Sequence, residues 1–172
     1  MAPQYHSIDL GRLALRSGEG RRLEIEVEPG EIELAGERYH TLPAAVAARL
    51  DVSRTASGHA FRLAFDASVA GPCVRCLGDA EVALAVEARE VDQPATGDEE
   101  LRSPYVDGDV LEVGTWAHDA LVLAMPGQIL CRPDCAGLCA VCGASLDDAD
   151  PGEHDHGRSI DPRWAKLGEL LE

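Results

Sequence analysis

The chain has 172 residues, enough for one self-supporting domain with a small appendage, so disulfides are not needed to rescue its core. Acidic residues outnumber basic ones 31 to 15, a formal charge of −16, which excludes a protein that coats nucleic acid or anionic membrane by bulk attraction. Aromatic residues make up only 4% of the chain, so the expected core is thin and aliphatic.

The first twenty residues lack a basic region followed by an apolar run, and no later stretch approaches the length of a membrane span. The expected location is the cytoplasm. From Arg21 the sequence RRLEIEVEPGEIEL sets Leu23, Ile25 and Val27 on one face against glutamates on the other, then turns at Pro-Gly. The alanines of AAVAARLDVSR suggest a helix, but Val46, Ala48, Leu50 and Val52 recur at period two, which favours a strand. Phe61, Leu63 and Phe65 alternate likewise, as do Val82, Leu84 and Val86, so the first ~90 residues read as an antiparallel sheet. Residues 92–108 are rich in acid, Pro and Gly without periodicity and are expected to form a mobile loop. A short strand at Val110 to Val113 precedes GTWAHDALVLAMPG, which predicts one helix near 115–125, with Thr115 as its cap and Trp116, Ala120, Leu121 and Ala124 facing inward. The closing DPRWAKLGELLE suits a short helix with Trp164, Leu167 and Leu171 on its buried side. The predicted class is α+β: an antiparallel β-rich domain over residues 1–128, with one main helix, and a zinc-ordered C-terminal segment over 129–172 packed on the Cys73/Cys76 turn.

Six cysteines at short spacings in a reducing compartment point to metal or redox chemistry rather than permanent bridges. Cys73 and Cys76 form a Cys-x-x-Cys pair in PCVRCLG, and CRPDCAGLCAVCGASL places Cys131, Cys135, Cys139 and Cys142 close together. Gly137 and Gly143 supply the backbone freedom that tight metal-binding turns require. His154 and His156 follow in HDH, giving eight candidate ligands, enough for two closed four-coordinate structural zinc sites. The preferred partition joins Cys73, Cys76, Cys131 and Cys135 in one site and Cys139, Cys142, His154 and His156 in the other. A ribbon-like alternative pairs Cys73 and Cys76 with Cys139 and Cys142 and leaves Cys131 and Cys135 out. The two histidines also fit a plain solvated acidic loop, and His6, His40, His59 and His118 are assigned no role.

Thioredoxin-like chemistry wants the cysteine pair at the start of a helix, whereas Cys73 and Cys76 fall between two strand patterns. No zinc-hydrolase signature, phosphate-binding loop, dinucleotide fingerprint or nucleophile elbow is present, so no catalytic residue is assigned. Arg75, Arg132, Arg158, Arg163 and Lys166 cluster around the candidate ligands, a local cationic patch suited to RNA phosphates. Pairing of these side chains with neighbouring Asp147, Asp148, Asp150 and Asp155 is the bland alternative.

The order SIDLGRL, PCVRCLG, LAMPG, CRPDCAGLCAVCGASL and DPRWAKLGELL resembles the YceD family of bacterial and plastid proteins across nearly the whole chain. The resemblance implies a role in accumulation of 23S, large-subunit, ribosomal RNA, through contact with that RNA or with a basic large-subunit ribosomal protein. Many members of the family complete the late cluster with a Cys-x-Cys pair where this chain has His154 and His156, which supports reading the histidines as zinc ligands. Some members lack the late cluster and keep the first pair, which favours two separable sites with one or two structural zinc ions. A zinc-stabilised protein-interaction adaptor with no RNA contact is the competing reading.

Overall fold

A computed structural model of the chain describes residues 6–147 and His156. Its spine is a long hairpin of β6 (His59–Pro72) and β7 (Asp79–Asp92), paired from His59↔Asp92 to Pro72↔Asp79. The other flank of β6 is shared. Its first half pairs with β5 (Val46–Arg54), which carries β2 (Gly20–Val27) beyond it. Its second half pairs with β4 (Glu37–Leu42), which carries β3 (Glu31–Leu34). Every pairing is antiparallel, as the period-two patterns require. A second small sheet joins β1 (Ile8–Asp9), β8 (Val106–Asp107) and β9 (Val110–Leu111).

Alternation sends Ile25, Val27, Leu50, Val52, Leu63 and Val69 to one buried face. Helix α1 (Val113–Ala124) covers that face with Val113, Trp116, Ala117, Ala120 and Leu121. Trp116 meets Phe61 of β6 edge-on at 6.3 Å and stacks at 6.2 Å on Tyr105, just before β8, so the few aromatics lock the helix to the sheet and to the segment that precedes β8. The helix begins two residues before the expected start. Glu112 takes the capping position without a side-chain cap bond, and Thr115 lies inside the first turn, because burial of Val113 outweighs the better cap. No helix among the described residues is long and apolar enough to cross a membrane.

Residues 92–108 carry more structure than their composition indicates. Two 3-10 turns, Pro94–Thr96 and Glu99–Leu101, precede β8. Their anchor is Asp92, only 2% exposed, whose carboxylate accepts the Arg102 guanidinium at 3.1 Å and the Ser103 N–H at 3.2 Å. A charge that reads as solvated in the sequence is thus a buried, paired tether.

Candidate metal centre

The hairpin turn between β6 and β7 presents the first cysteine pair. Cys73 donates its N–H to the Gly78 carbonyl at 2.7 Å, and Leu77 donates to the Cys73 carbonyl at 2.9 Å. The second pair repeats these bonds: Cys139 N–H to Ala144 O at 2.8 Å, and Gly143 N–H to Cys139 O at 2.8 Å. Both Cys-x-x-Cys segments therefore fold into the same turn, with the residue after the second cysteine left-handed. That residue is Gly143 at φ +73° in one turn and Leu77 at φ +60° in the other.

The chain after α1 returns to the first turn. Ile129 is fully buried and its carbonyl accepts the Val74 N–H at 3.0 Å, while Leu138 donates to the Arg75 carbonyl at 3.2 Å. Gly137 makes the approach possible, because a Cβ there would sit 3.0 Å from the Arg75 carbonyl oxygen and 3.2 Å from its Cβ. Arg75 in turn donates to the Cys135 carbonyl at 2.9 Å.

These contacts gather Cys73, Cys76, Cys131 and Cys135, whose sulfurs all lie within 4.8 Å of one another. Cys73 and Cys135 are buried, Cys76 is half-buried and Cys131 is exposed. Sulfurs about 2.3 Å from a tetrahedral zinc stand about 3.8 Å apart. The Sγ separations of 3.8 Å for Cys73–Cys135 and 3.6 Å for Cys76–Cys131 match that edge. Cys139 and Cys142 stand with His156 in a second group, also within 4.8 Å. His154 lies outside the described residues, as do Arg158, Arg163, Lys166 and the expected terminal helix. The grouping sets Cys131 and Cys135 beside Cys73 and Cys76, where the ribbon-like arrangement would have set Cys139 and Cys142.

The electrostatics of the thiols suit a cation. Burial alone raises the Cys73 thiol, but N–H groups of Cys131, Cys76 and Arg75 aimed at its sulfur bring it down to about 6. Main-chain N–H groups of Cys142 and Val141 lower Cys139 to about 7, with His156 adding to the effect. Burial, then the neighbouring thiols of Cys131 and Cys76, push Cys135 up to about 12, and Cys76 raises Cys131. One thiolate forms readily and its neighbours then resist ionising, the electrostatics of a thiol group that a cation would favour.

Asp147 braces this centre: it forms the expected pair with Arg132, and it adds bonds to the Cys135 turn that no local pattern announces. Its carboxylate accepts the Ala136 N–H at 2.7 Å, the Arg132 guanidinium and the Cys135 thiol at 3.6 Å. The Ala136 N–H is the foremost cause of its lowered pKa. Arg132 also pairs with Asp134 at 3.3 Å. Of the five cations around the candidate ligands, Arg75 and Arg132 lie among the described residues, and both are engaged within the centre.

Among curated proteins, the chain is similar to uncharacterized proteins of Mycobacterium bovis and Mycobacterium tuberculosis strain H37Rv. Each is 40% identical over 113 residues, covering 61% of this chain and 52% of the relative. An uncharacterized protein of Mycobacterium leprae is 39% identical over 109 residues, covering 58% and 46%. The chain spans about half the length of the curated relatives it matches. No solved structure matches it. The family described as large ribosomal RNA subunit accumulation protein YceD matches residues 61–171, which hold the β6–β7 hairpin, helix α1 and every cysteine of both clusters. On that match, across most of its length and all of its metal-ligating candidates, the chain belongs to the YceD family.

Proposed function

We propose that this chain is a non-enzymatic, cytoplasmic factor in large ribosomal subunit biogenesis. Its C-terminal segment is held to the β6–β7 hairpin by structural zinc, and it supports 23S ribosomal RNA accumulation by binding that RNA or an early-assembling basic ribosomal protein. The observation that carries the reading is the four-sulfur cluster at tetrahedral spacing, drawn from two chain segments that the family match spans together. Four protein sulfurs fill four positions and leave none for a reacting water, which suits a structural ion and not a hydrolytic one. The ligands of the first ion are Cys73, Cys76, Cys131 and Cys135, and those of the second are Cys139, Cys142, His156 and His154.

Arg75 and Arg132, together with Arg158, Arg163 and Lys166, are the cations this reading offers to phosphate. Engagement of Arg75 and Arg132 inside the cluster favours a second reading, an adaptor that docks on a basic protein through its acidic surface. Crosslinking in cells separates the two: RNA reads enriched in one region of the large-subunit ribosomal RNA support direct contact, and enrichment of a ribosomal protein alone supports the adaptor. Background RNA and no ribosomal protein, with normal large-subunit RNA in a deletion strain, would overturn both. Native mass spectrometry of protein purified without chelator tests the metal, and a metal-free mass would end the zinc assignment.

A further inference from the structure

Strand β7 runs for 14 residues and, among the described residues, has a partner on one side only. Which of its main-chain groups face away from β6 follows from the hairpin turn. The Cys73 N–H donates to Gly78 O, and Pro72, which has no N–H, stands opposite Asp79. Bonded and non-bonded pairs alternate along an antiparallel ladder, so Gly71–Ala80, Val69–Val82 and every second pair beyond are the bonded ones. The opposite end agrees, since Thr55 N–H to Gly58 O and Arg54 N–H to Glu19 O set the β5 ladders in the same phase. The outward main-chain groups of β7 therefore belong to Glu81, Ala83, Ala85, Glu87 and Arg89. All five residues are exposed, and no main-chain bond joins them to another described segment. The next outward N–H, that of Val91, is already met by the Glu90 carboxylate at 3.3 Å.

A long open edge of this kind is a template for another strand. We infer that it is a dimer interface, at which β7 pairs antiparallel with β7 of a second copy about a two-fold axis at Ala85, so that one sheet runs through both chains. Charge selects this partner and this register. Centred on Ala85, Glu81 of each copy stands opposite Arg89 of the other, Ala83 opposite Glu87, and two small Ala85 residues meet on the axis. Slid by one step toward the hairpin turn, Glu81 faces Glu87 of the second copy twice over. Slid the other way, it faces Val91 and the match to Arg89 is lost.

The opposite face of the strand agrees with the same register. Pairing about Ala85 sets Leu84 against Val86 and Val82 against Ala88 of the second copy, which continues the apolar layer across the junction. Beside the edge, α1 raises Leu123, 86% exposed, over a groove lined by Ala85, Glu90, Tyr105 and Trp116. A second copy brings an equal apolar shoulder to that groove by symmetry. Arg89 is held by Glu87 of its own strand at 3.1 Å yet keeps 75% of its side chain exposed, so it can reach across the edge.

Sedimentation equilibrium of the full zinc-loaded chain from micromolar to high-micromolar concentration tests the inference. The expected result is a mass of two chains that falls to one on dilution. Arg89→Glu should weaken association about tenfold or more, and Glu81→Arg combined with Arg89→Glu should restore it. Ala85→Pro removes an outward N–H without touching the ladder to β6 and should leave a folded monomer, with circular dichroism as the check on folding. A single-chain mass at the highest concentration would overturn the interface. So would a dimer indifferent to Arg89→Glu, a charge reversal that fails to restore it, or a folded Ala85→Pro variant that still dimerises.

Discussion

Gly137→Ala places one methyl group where the C-terminal segment crosses the hairpin turn. The backbone there has φ +82°, a conformation that costs a non-glycine residue about 1 kcal/mol. The new Cβ also meets the Arg75 carbonyl oxygen at 3.0 Å. That oxygen cannot retreat freely, because it accepts the Leu138 N–H at 3.2 Å, so crowding adds about 1 kcal/mol or more. The sum, about 2–3 kcal/mol, falls on the docking that brings Cys131 and Cys135 to Cys73 and Cys76. Zinc affinity of the four-sulfur site should therefore drop about 30- to 140-fold, since each 1.4 kcal/mol is about a factor of ten. Competition against a chromophoric chelator reads this directly. A Gly137→Ala protein that holds its first zinc within a factor of about two of the parent would refute the claim that this close approach assembles the site.

Leu77→Gly tests the opposite sign at the same kind of backbone. Leu77 sits at φ +60° with 64% of its surface exposed, so glycine relieves about 1 kcal/mol of strain and forfeits little burial, and the denaturation midpoint should rise. Metal binding should release protons. With Cys135 at about 12 and Cys131 raised, both hold their protons at pH 7 in the metal-free protein and must shed them as zinc ligands, so calorimetry in buffers of different ionisation enthalpy should show about two protons or more per first zinc. Zinc affinity should consequently fall as pH is lowered, and more steeply once pH passes below about 6, where Cys73 also becomes protonated. Asp92→Ala leaves the Ser103 N–H unmet and removes the carboxylate that holds Arg102, at a cost of about 2–3 kcal/mol, with hydrogen exchange rising over residues 93–105; unchanged exchange there would remove Asp92 as the tether.

Period-two alternation made the sheet legible: Leu23 to Val27, Val46 to Val52 and Phe61 to Phe65 put their apolar members on the face that α1 covers. Its topology was not, because nothing in a local pattern reveals that β6 divides one flank between β5 and β4. Composition misled at 92–108, where hydropathy treats Asp92 as solvent-facing although tertiary pairing with Arg102 makes its burial tolerable. Cysteine spacing identified the two Cys-x-x-Cys turns, since their bonds are local. The bracing by Asp147 depends on a fold-back across eleven residues to Ala136, which spacing does not encode.

The distribution of cations sets a limit on how this acidic chain can meet RNA. Arg22, Arg62, Arg89 and Arg102 pair with carboxylates on the sheet and its tether, and the proposed RNA contact rests on the patch around the cysteines. It offers at most five cations: Arg75, Arg132, Arg158, Arg163 and Lys166. Each phosphate neutralised on a single strand contributes about −0.7 to the slope of log affinity against log salt, so the slope should be no steeper than about −3.5. Arg132 must leave Asp147 to count, and releasing that carboxylate loosens the Cys135 turn. RNA binding through Arg132 would therefore weaken zinc retention, while docking of a protein on the acidic surface would leave it unchanged. A salt titration with chelator present measures both at once. A slope much steeper than −3.5 would mean that arginines beyond the metal centre, the exposed Arg21 and Arg38 of the sheet first among them, also meet phosphate, and would extend the RNA contact from the metal centre to the sheet.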